Sequence, residues 1–92
     1  MARDGEHAWR RAAGLCHRRS GLAYVVLPAD REQALVLQDA AAEVFDALDE
    51  PRTADDLLAA LSEGSGLDPA RIRPHLESAL ALLADAGVIT AT

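Results

Sequence analysis

The chain has 92 residues, a formal net charge of -6 and an apolar fraction of 50%. A chain of this length forms one domain and buries too little surface for a large internal active-site cavity. Residues 1–31 carry a net charge of +3 and residues 32–92 a net charge of -9, which together give -6. Because the second part would repel a phosphate backbone, nucleic-acid binding is disfavoured.

The first segment, residues 1–13, has no regular apolar spacing, so we expect a flexible N-terminal arm followed by a folded domain over residues 14–92. Trp9 is the exception within this arm. Its large apolar surface is unfavourable in water, and we expect it to pack onto the domain.

Three short strands are predicted next. Residues 14–19 form a weak strand, and residues 22–27 form the strongest one because they are rich in β-branched and aromatic side chains. The third strand, Gln33 to Leu37, follows a loop and completes an antiparallel meander, in which the last strand is an edge. Ala34, Leu35, Val36 and Leu37 include no charge or proline that would block further pairing. The alternative is an interior strand that another part of the same chain covers.

Three helices are predicted after the strands, which gives an α+β fold of winged helix-turn-helix type. Asp39 is expected to cap the first helix. Thr53 caps the second, with Asp56 as its capping-box partner. Asp68 caps the third, which ends before a glycine, and Pro74 is expected to kink it or shorten its first turn.

The third helix has two distinct faces. Ile72, Leu76, Leu80 and Leu83 recur at helical spacing and are expected to face the core. The second face is small or apolar apart from one histidine, and could either line a groove or pack against the sheet. Its members and the residues that flank it are Arg71, His75, Ser78, Ala79, Leu82 and Ala86.

The sequence contains no recognisable catalytic or metal-binding arrangement, so we expect neither an enzyme nor a cofactor. Cys16 and His17 are neighbours on a probable strand, and their side chains therefore point to opposite faces. No cysteine or histidine pair has metal-ligand spacing, and no glycine-rich loop with a lysine is present. The single cysteine, the absence of a signal-peptide pattern and the absence of a long apolar run predict a cytoplasmic protein.

Taken together, this order of apolar positions resembles the PqqD-like peptide chaperones, also known as precursor-peptide recognition elements of ribosomally made, modified natural products. The resemblance covers residues 14–89. It is carried by the Tyr24 to Leu27 strand, the Leu35-Val36-Leu37 strand, the Asp39 to Leu48 helix, the Pro51 to Leu57 segment, the Leu76, Leu80 and Leu83 repeat and the Gly87-Val88-Ile89 ending.

The family implies a non-catalytic adaptor that binds the leader segment of a precursor peptide and presents it to a modifying enzyme. The leader would add a strand to the third strand, with its side chains in the groove between that strand and the third helix. Carried onto this sequence, the peptide-binding residues are Gln33, Ala34, Leu35, Val36, Leu37, Arg71, His75, Ser78, Ala79 and Leu82. The implied core residues are Leu37, Val44, Leu57, Leu76 and Leu83.

Two alternatives remain open at this point. The first is a winged-helix DNA-binding regulator, in which only Arg71, Arg73 and His75 at the start of the third helix could touch DNA, against the acidic charge around them. The second is a homodimer joined through two free strand edges.

Overall fold

The computed structural model describes residues 8–91, which form six strands and three helices. The strands are β1 (Ala8–Arg11), β2 (Cys16–Ser20), β3 (Ala23–Leu27), β4 (Leu35–Leu37), β5 (Arg52–Thr53) and β6 (Ile89–Ala91). The helices are α1 (Asp39–Ala47), α2 (Ala54–Ser65) and α3 (Pro69–Asp85).

The predicted antiparallel meander is confirmed, with β3 between β2 and β4. The register pairs Tyr24 with Leu37 and Val25 with Val36. Among residues 8–91, β4 pairs with β3 alone, so its other side is the open edge of the sheet. The strand is shorter than predicted, because Gln33 and Ala34 precede it in the loop.

A second antiparallel sheet, of order β5-β1-β6, was not predicted. Its middle strand is Ala8–Arg11, so the prediction of a flexible arm is wrong for these four residues. Residues 1–7 of that arm lie outside the described part of the chain. Trp9 pairs with Arg52 and with Ala91 and packs against the core, as expected for a large apolar side chain. This segment is ordered by pairing with strands that are distant in sequence, and a local apolar pattern cannot indicate such pairing.

The N-terminal caps mark where the three helices begin. The α2 capping box forms as predicted: the Asp56 amide donates to the Thr53 hydroxyl at 3.1 Å, and the Thr53 amide donates to the Asp56 carboxylate at 3.2 Å. At the start of α3 the Ala70 amide donates to Asp68 at 2.9 Å. For α1 the predicted cap is wrong by one residue. Gln38 holds the cap position, and Asp39 begins the helix with a φ of 54°, a left-handed conformation that aspartate tolerates better than most residues.

Helix α3 runs without interruption from Pro69 to Asp85 and includes Pro74. The short first turn considered for this helix is therefore not formed. Its end agrees with the prediction, because Gly87 follows the helix with a φ of 79°, a conformation that glycine adopts without strain.

One apolar core lies between the β2-β3-β4 sheet, which is the larger sheet by number of residues, and the three helices. All five residues that the family resemblance placed there are buried, with exposures of 3% or less. Phe45, Leu48 and Val88 share this core and are almost completely shielded from solvent. The core fixes α3 beside β4, with the open edge of the sheet facing outward.

Candidate functional site

An open groove of about 710 Å³ lies beside β4. Its two walls come from the edge strand and from the last turns of α3, and its lining residues are Leu35, Val36, Leu37, Ala81, Leu82, Asp85 and Ala86. Two large apolar side chains in this groove are exposed to solvent, Val36 to 60% and Leu82 to 58%. Because such side chains are usually shielded in a folded domain, the groove is the best candidate for a binding site.

Local geometry explains both exposed residues. Side chains alternate along a strand, so burial of Leu37 on one face of β4 leaves Val36 on the other. On α3, Leu80 and Leu83 point into the core, and Leu82 lies between them in sequence on a different face. The open edge and the apolar wall therefore lie side by side.

The structure brings four of the ten sequence-predicted site residues into this groove: Leu35, Val36, Leu37 and Leu82. Gln33 and Ala34 lie in the loop that leads to it, and both are exposed. Ala79 is buried, with 6% of its surface exposed, so it belongs to the core. Ser78 is exposed on α3 and does not line the groove.

Arg71 and His75 line a different cavity of about 360 Å³, at the start of α3. This second cavity is bounded by the first turns of α1, the end of α2 and the loop that contains Leu67. The expected groove wall over the first half of α3 is therefore absent from the β4 groove. Of the α3 residues predicted to form this wall, Leu82 alone lines the groove, and the other wall residues lie in the last turns of the helix.

Ala81 and Asp85 are wall residues that the sequence reasoning did not include in the site. A signal was available for Asp85, because it follows the predicted site residue Leu82 by three positions and so lies on a neighbouring part of the helix surface. The direction in which β4 runs past α3 cannot be read from the sequence, and this direction decides which turns of the helix border the groove.

A polar contact stabilises the sheet beneath this site. The Tyr24 hydroxyl donates a hydrogen bond to the Asp46 carboxylate, which Arg19 also approaches at 3.7 Å. The hydrogen bond to Asp46, the burial of the ring and the negative charge of Asp46 raise the pKa of Tyr24, against the opposing charges of Arg19 and Arg11. Tyr24 is thus held in its neutral form, linking β3 to α1.

Within residues 8–91, no group of histidine, cysteine, aspartate and glutamate side chains is arranged to hold a metal ion. Helices in this part of the chain are also too short or too polar to cross a membrane. Within the described part of the chain, the site offers strand backbone that is unpaired on one side and lies beside exposed apolar side chains, an arrangement suited to binding an extended peptide.

Comparison with known proteins shows what the chain is similar to. A structural comparison matches the solution NMR structure of the PqqD truncation of Methylobacterium extorquens PqqCD, which represents a functional and stand-alone recognition element for ribosomally synthesised and post-translationally modified peptides. The TM-score is 0.72 and the sequence identity 26%, and the match covers 97% of this chain and 95% of that one. A search of curated proteins gives no match.

The same comparisons do not support the DNA-binding alternative. The structural match agrees with the α+β, winged-helix-like fold. The family model of coenzyme PQQ synthesis protein D (PqqD) matches residues 23–89, which include the whole candidate site. Since this match spans more than half of the chain, the protein belongs to the PqqD family.

Proposed function

We propose that the protein binds the leader segment of a ribosomally made precursor peptide and presents it to a peptide-modifying enzyme. The peptide would add a strand to the open edge of β4, with alternate side chains entering the groove. The exposed edge beside Val36 and Leu82 is the observation that carries the proposal. Main-chain hydrogen bonds would supply affinity, and the groove would supply selectivity.

The solved relative supports both parts of this proposal. It is described as a recognition element for modified ribosomal peptides, and it was obtained by truncating a longer protein, PqqCD. A recognition domain that occurs as part of a longer chain is consistent with a role in presenting a bound peptide to another domain or protein. The cytoplasmic location expected from the sequence stays a prediction.

The backbone edge is tested by Val36→Pro. Proline removes an N–H group and places its ring in the strand, so peptide affinity should fall about tenfold or more through loss of one or two hydrogen bonds. Binding would be measured by titrating the protein with the leader peptide encoded beside its gene. Val36→Thr keeps the N–H group and the branched shape, and should retain most of the affinity. Unchanged binding by the folded proline variant would contradict strand addition.

The apolar wall is tested by Leu82→Asp. Because Leu82 is 58% exposed, its replacement should lower the free energy of unfolding by only about 1 kcal/mol, through the lower helix propensity of aspartate and its charge near the carboxyl end of α3. Leader affinity should nevertheless fall about tenfold, since a carboxylate would replace an apolar contact with the peptide. Leu22→Asp is the matched control, as Leu22 is 87% exposed and lies outside the groove. Equal effects of the two substitutions would argue against the groove.

The alternative of a homodimer stays a prediction, and it would be joined through the same open edge of β4 in each copy. Such a dimer would compete with the peptide for the same backbone groups. Light scattering over a range of protein concentrations, with and without leader peptide, distinguishes the dimer from the peptide-binding monomer. The mass of the monomer should not rise with protein concentration in either case.

A further inference from the structure

The cavity at the start of α3 has an apolar interior and is open to solvent. Its interior is lined by the side chains of Ala40, Val44, Leu61, Ile72 and Leu76, and Leu67, which is 51% exposed, stands at its opening. Three of the four large apolar residues that are exposed within residues 8–91 line either this cavity or the β4 groove. An exposed leucine above an apolar interior indicates space for a further apolar side chain.

The two sites are related along α3 by a shift of ten residues, which also rotates the pattern by about 80 degrees around the helix axis. Arg71, Ile72, His75 and Leu76 line the cavity, and Ala81, Leu82, Asp85 and Ala86 line the groove, so the same four-position pattern recurs ten residues later. Ten helical residues correspond to about 15 Å along the axis. Arg71, His75 and Leu82 lie within about 40 degrees of one another around the helix, so one side of α3 borders both sites.

The chain that forms the opposite wall also connects the two sites. Leu35 to Leu37 border the groove, and Asp39 and Ala40, immediately after this strand, border the cavity. An extended peptide that lies along β4 and continues past Leu37 therefore reaches the cavity. A strand advances about 3.4 Å per residue, and only residues separated by even numbers share a face, so four residues, or about 13.6 Å, match the separation best.

Charge at the opening favours a basic peptide. Asp39 and Glu43 lie on the α1 side, and neither forms an ion pair within residues 8–91. Arg71 on the α3 side is likewise without one. The opening thus carries two carboxylates against one guanidinium, and a nearby lysine or arginine in the ligand would be attracted to it.

We propose that this cavity is a second anchor site of the same peptide, and that it accepts an apolar side chain four residues away from the one in the β4 groove. The proposal rests on the proposed function. It names the ligand class: an extended segment with two apolar residues at that spacing and a basic residue next to the second.

The spacing is tested by selecting peptides on the immobilised protein from a random library displayed on phage. Enriched sequences should carry two apolar residues four positions apart. For one selected peptide, Leu67→Ser should lower affinity about tenfold, as expected for loss of a buried apolar contact. Replacing the second apolar residue of the peptide by serine should lower it similarly, with little further loss when both changes are combined.

Leu22→Ser is the matched control, because Leu22 is exposed but lines neither site. Melting temperatures of both variants would establish that they are folded. Enriched peptides that lose binding to Val36→Pro but show another spacing, or are indifferent to Leu67→Ser, would overturn the second anchor and leave the proposed function intact. A failure to enrich any peptide, or binding that Val36→Pro leaves unchanged, would contradict the proposed function and the second anchor with it.

Discussion

Tyr24 illustrates how one side chain connects the β2-β3-β4 sheet to the helices. It lies on β3, directly opposite Leu37 of the edge strand, and only 8% of its surface is exposed. Its ring packs edge-on against Phe45 with 5.0 Å between ring centroids, and its hydroxyl donates to Asp46. Both contacts are with α1, the helix that begins directly after the edge strand.

This contact predicts a loss of stability at alkaline pH. The raised pKa of Tyr24 means that the folded state holds the phenol proton more tightly than the unfolded state does. The stabilisation is therefore complete below the unfolded pKa of about 10 and decreases as the pH rises through the higher folded value. The free energy of unfolding, measured by urea denaturation across this pH range, should fall more steeply for the wild type than for Tyr24→Phe.

The chain offers a direct readout of the same titration, because Tyr24 is its single tyrosine. Phenolate absorbance of the folded protein should rise at a higher pH than in denaturant. Coincident titration curves would contradict a raised pKa. At neutral pH, Tyr24→Phe should cost about 1 kcal/mol, the net value of a hydrogen bond.

At the level of elements, α3 contains a residue that is unfavourable for its conformation. Pro74 is exposed in the helix and cannot donate to the carbonyl of Ala70. Pro69, in contrast, occupies the first helical position, where no intrahelical donor is needed.

Pro74→Ala should therefore stabilise the protein. A proline in a helix interior costs about 3 kcal/mol relative to alanine, and part of this is offset because proline also restricts the unfolded chain. We expect a net gain of about 1–2 kcal/mol in the free energy of unfolding, measured by urea denaturation. Pro69→Ala is the matched control and should give no gain. A loss of stability in Pro74→Ala would mean that α3 depends on the proline.

The elements of the larger sheet and the helices could be predicted because their signals are local. Local composition, caps and helical spacing identified β3, β4 and the three helices, and the α2 capping box formed as the sequence indicated. The extent of the candidate site was harder to predict. Arg71 and His75 share a helical face with Leu82, but the direction of β4 across α3 places them at the second cavity. That direction is set by packing, which periodicity does not encode.

At the level of the whole molecule, a second sheet joins distant parts of the chain. Strand β1 pairs with β5 in the middle of the sequence and with β6 near its end. Its arginine-rich sequence has no apolar alternation, and it resembled a flexible segment for that reason. Its order depends on partners that only the folded chain supplies, which explains why local reasoning missed it.

Arg11 connects this second sheet to α1, the helix that follows the edge strand β4. Its guanidinium donates two hydrogen bonds to the Phe45 carbonyl, at 2.8 and 3.2 Å, and lies 4.2 Å from the centroid of the Phe45 ring. The carbonyl belongs to the last turn of α1, where a positive charge also interacts favourably with the helix dipole. The Leu48 amide shares this acceptor, so removing Arg11 would leave it partly satisfied.

Arg11→Met should lower the free energy of unfolding by about 1–2 kcal/mol, because it keeps an unbranched apolar side chain similar to the arginine stem but loses the charged donors. Arg11→Lys keeps the charge without the forked geometry and should fall between the methionine variant and the wild type in urea denaturation. Leader affinity should remain within about twofold of the wild type while the variants are folded, since Arg11 lines neither the groove nor the second cavity. A large loss of affinity with little change in stability would instead place the second sheet in the binding mechanism.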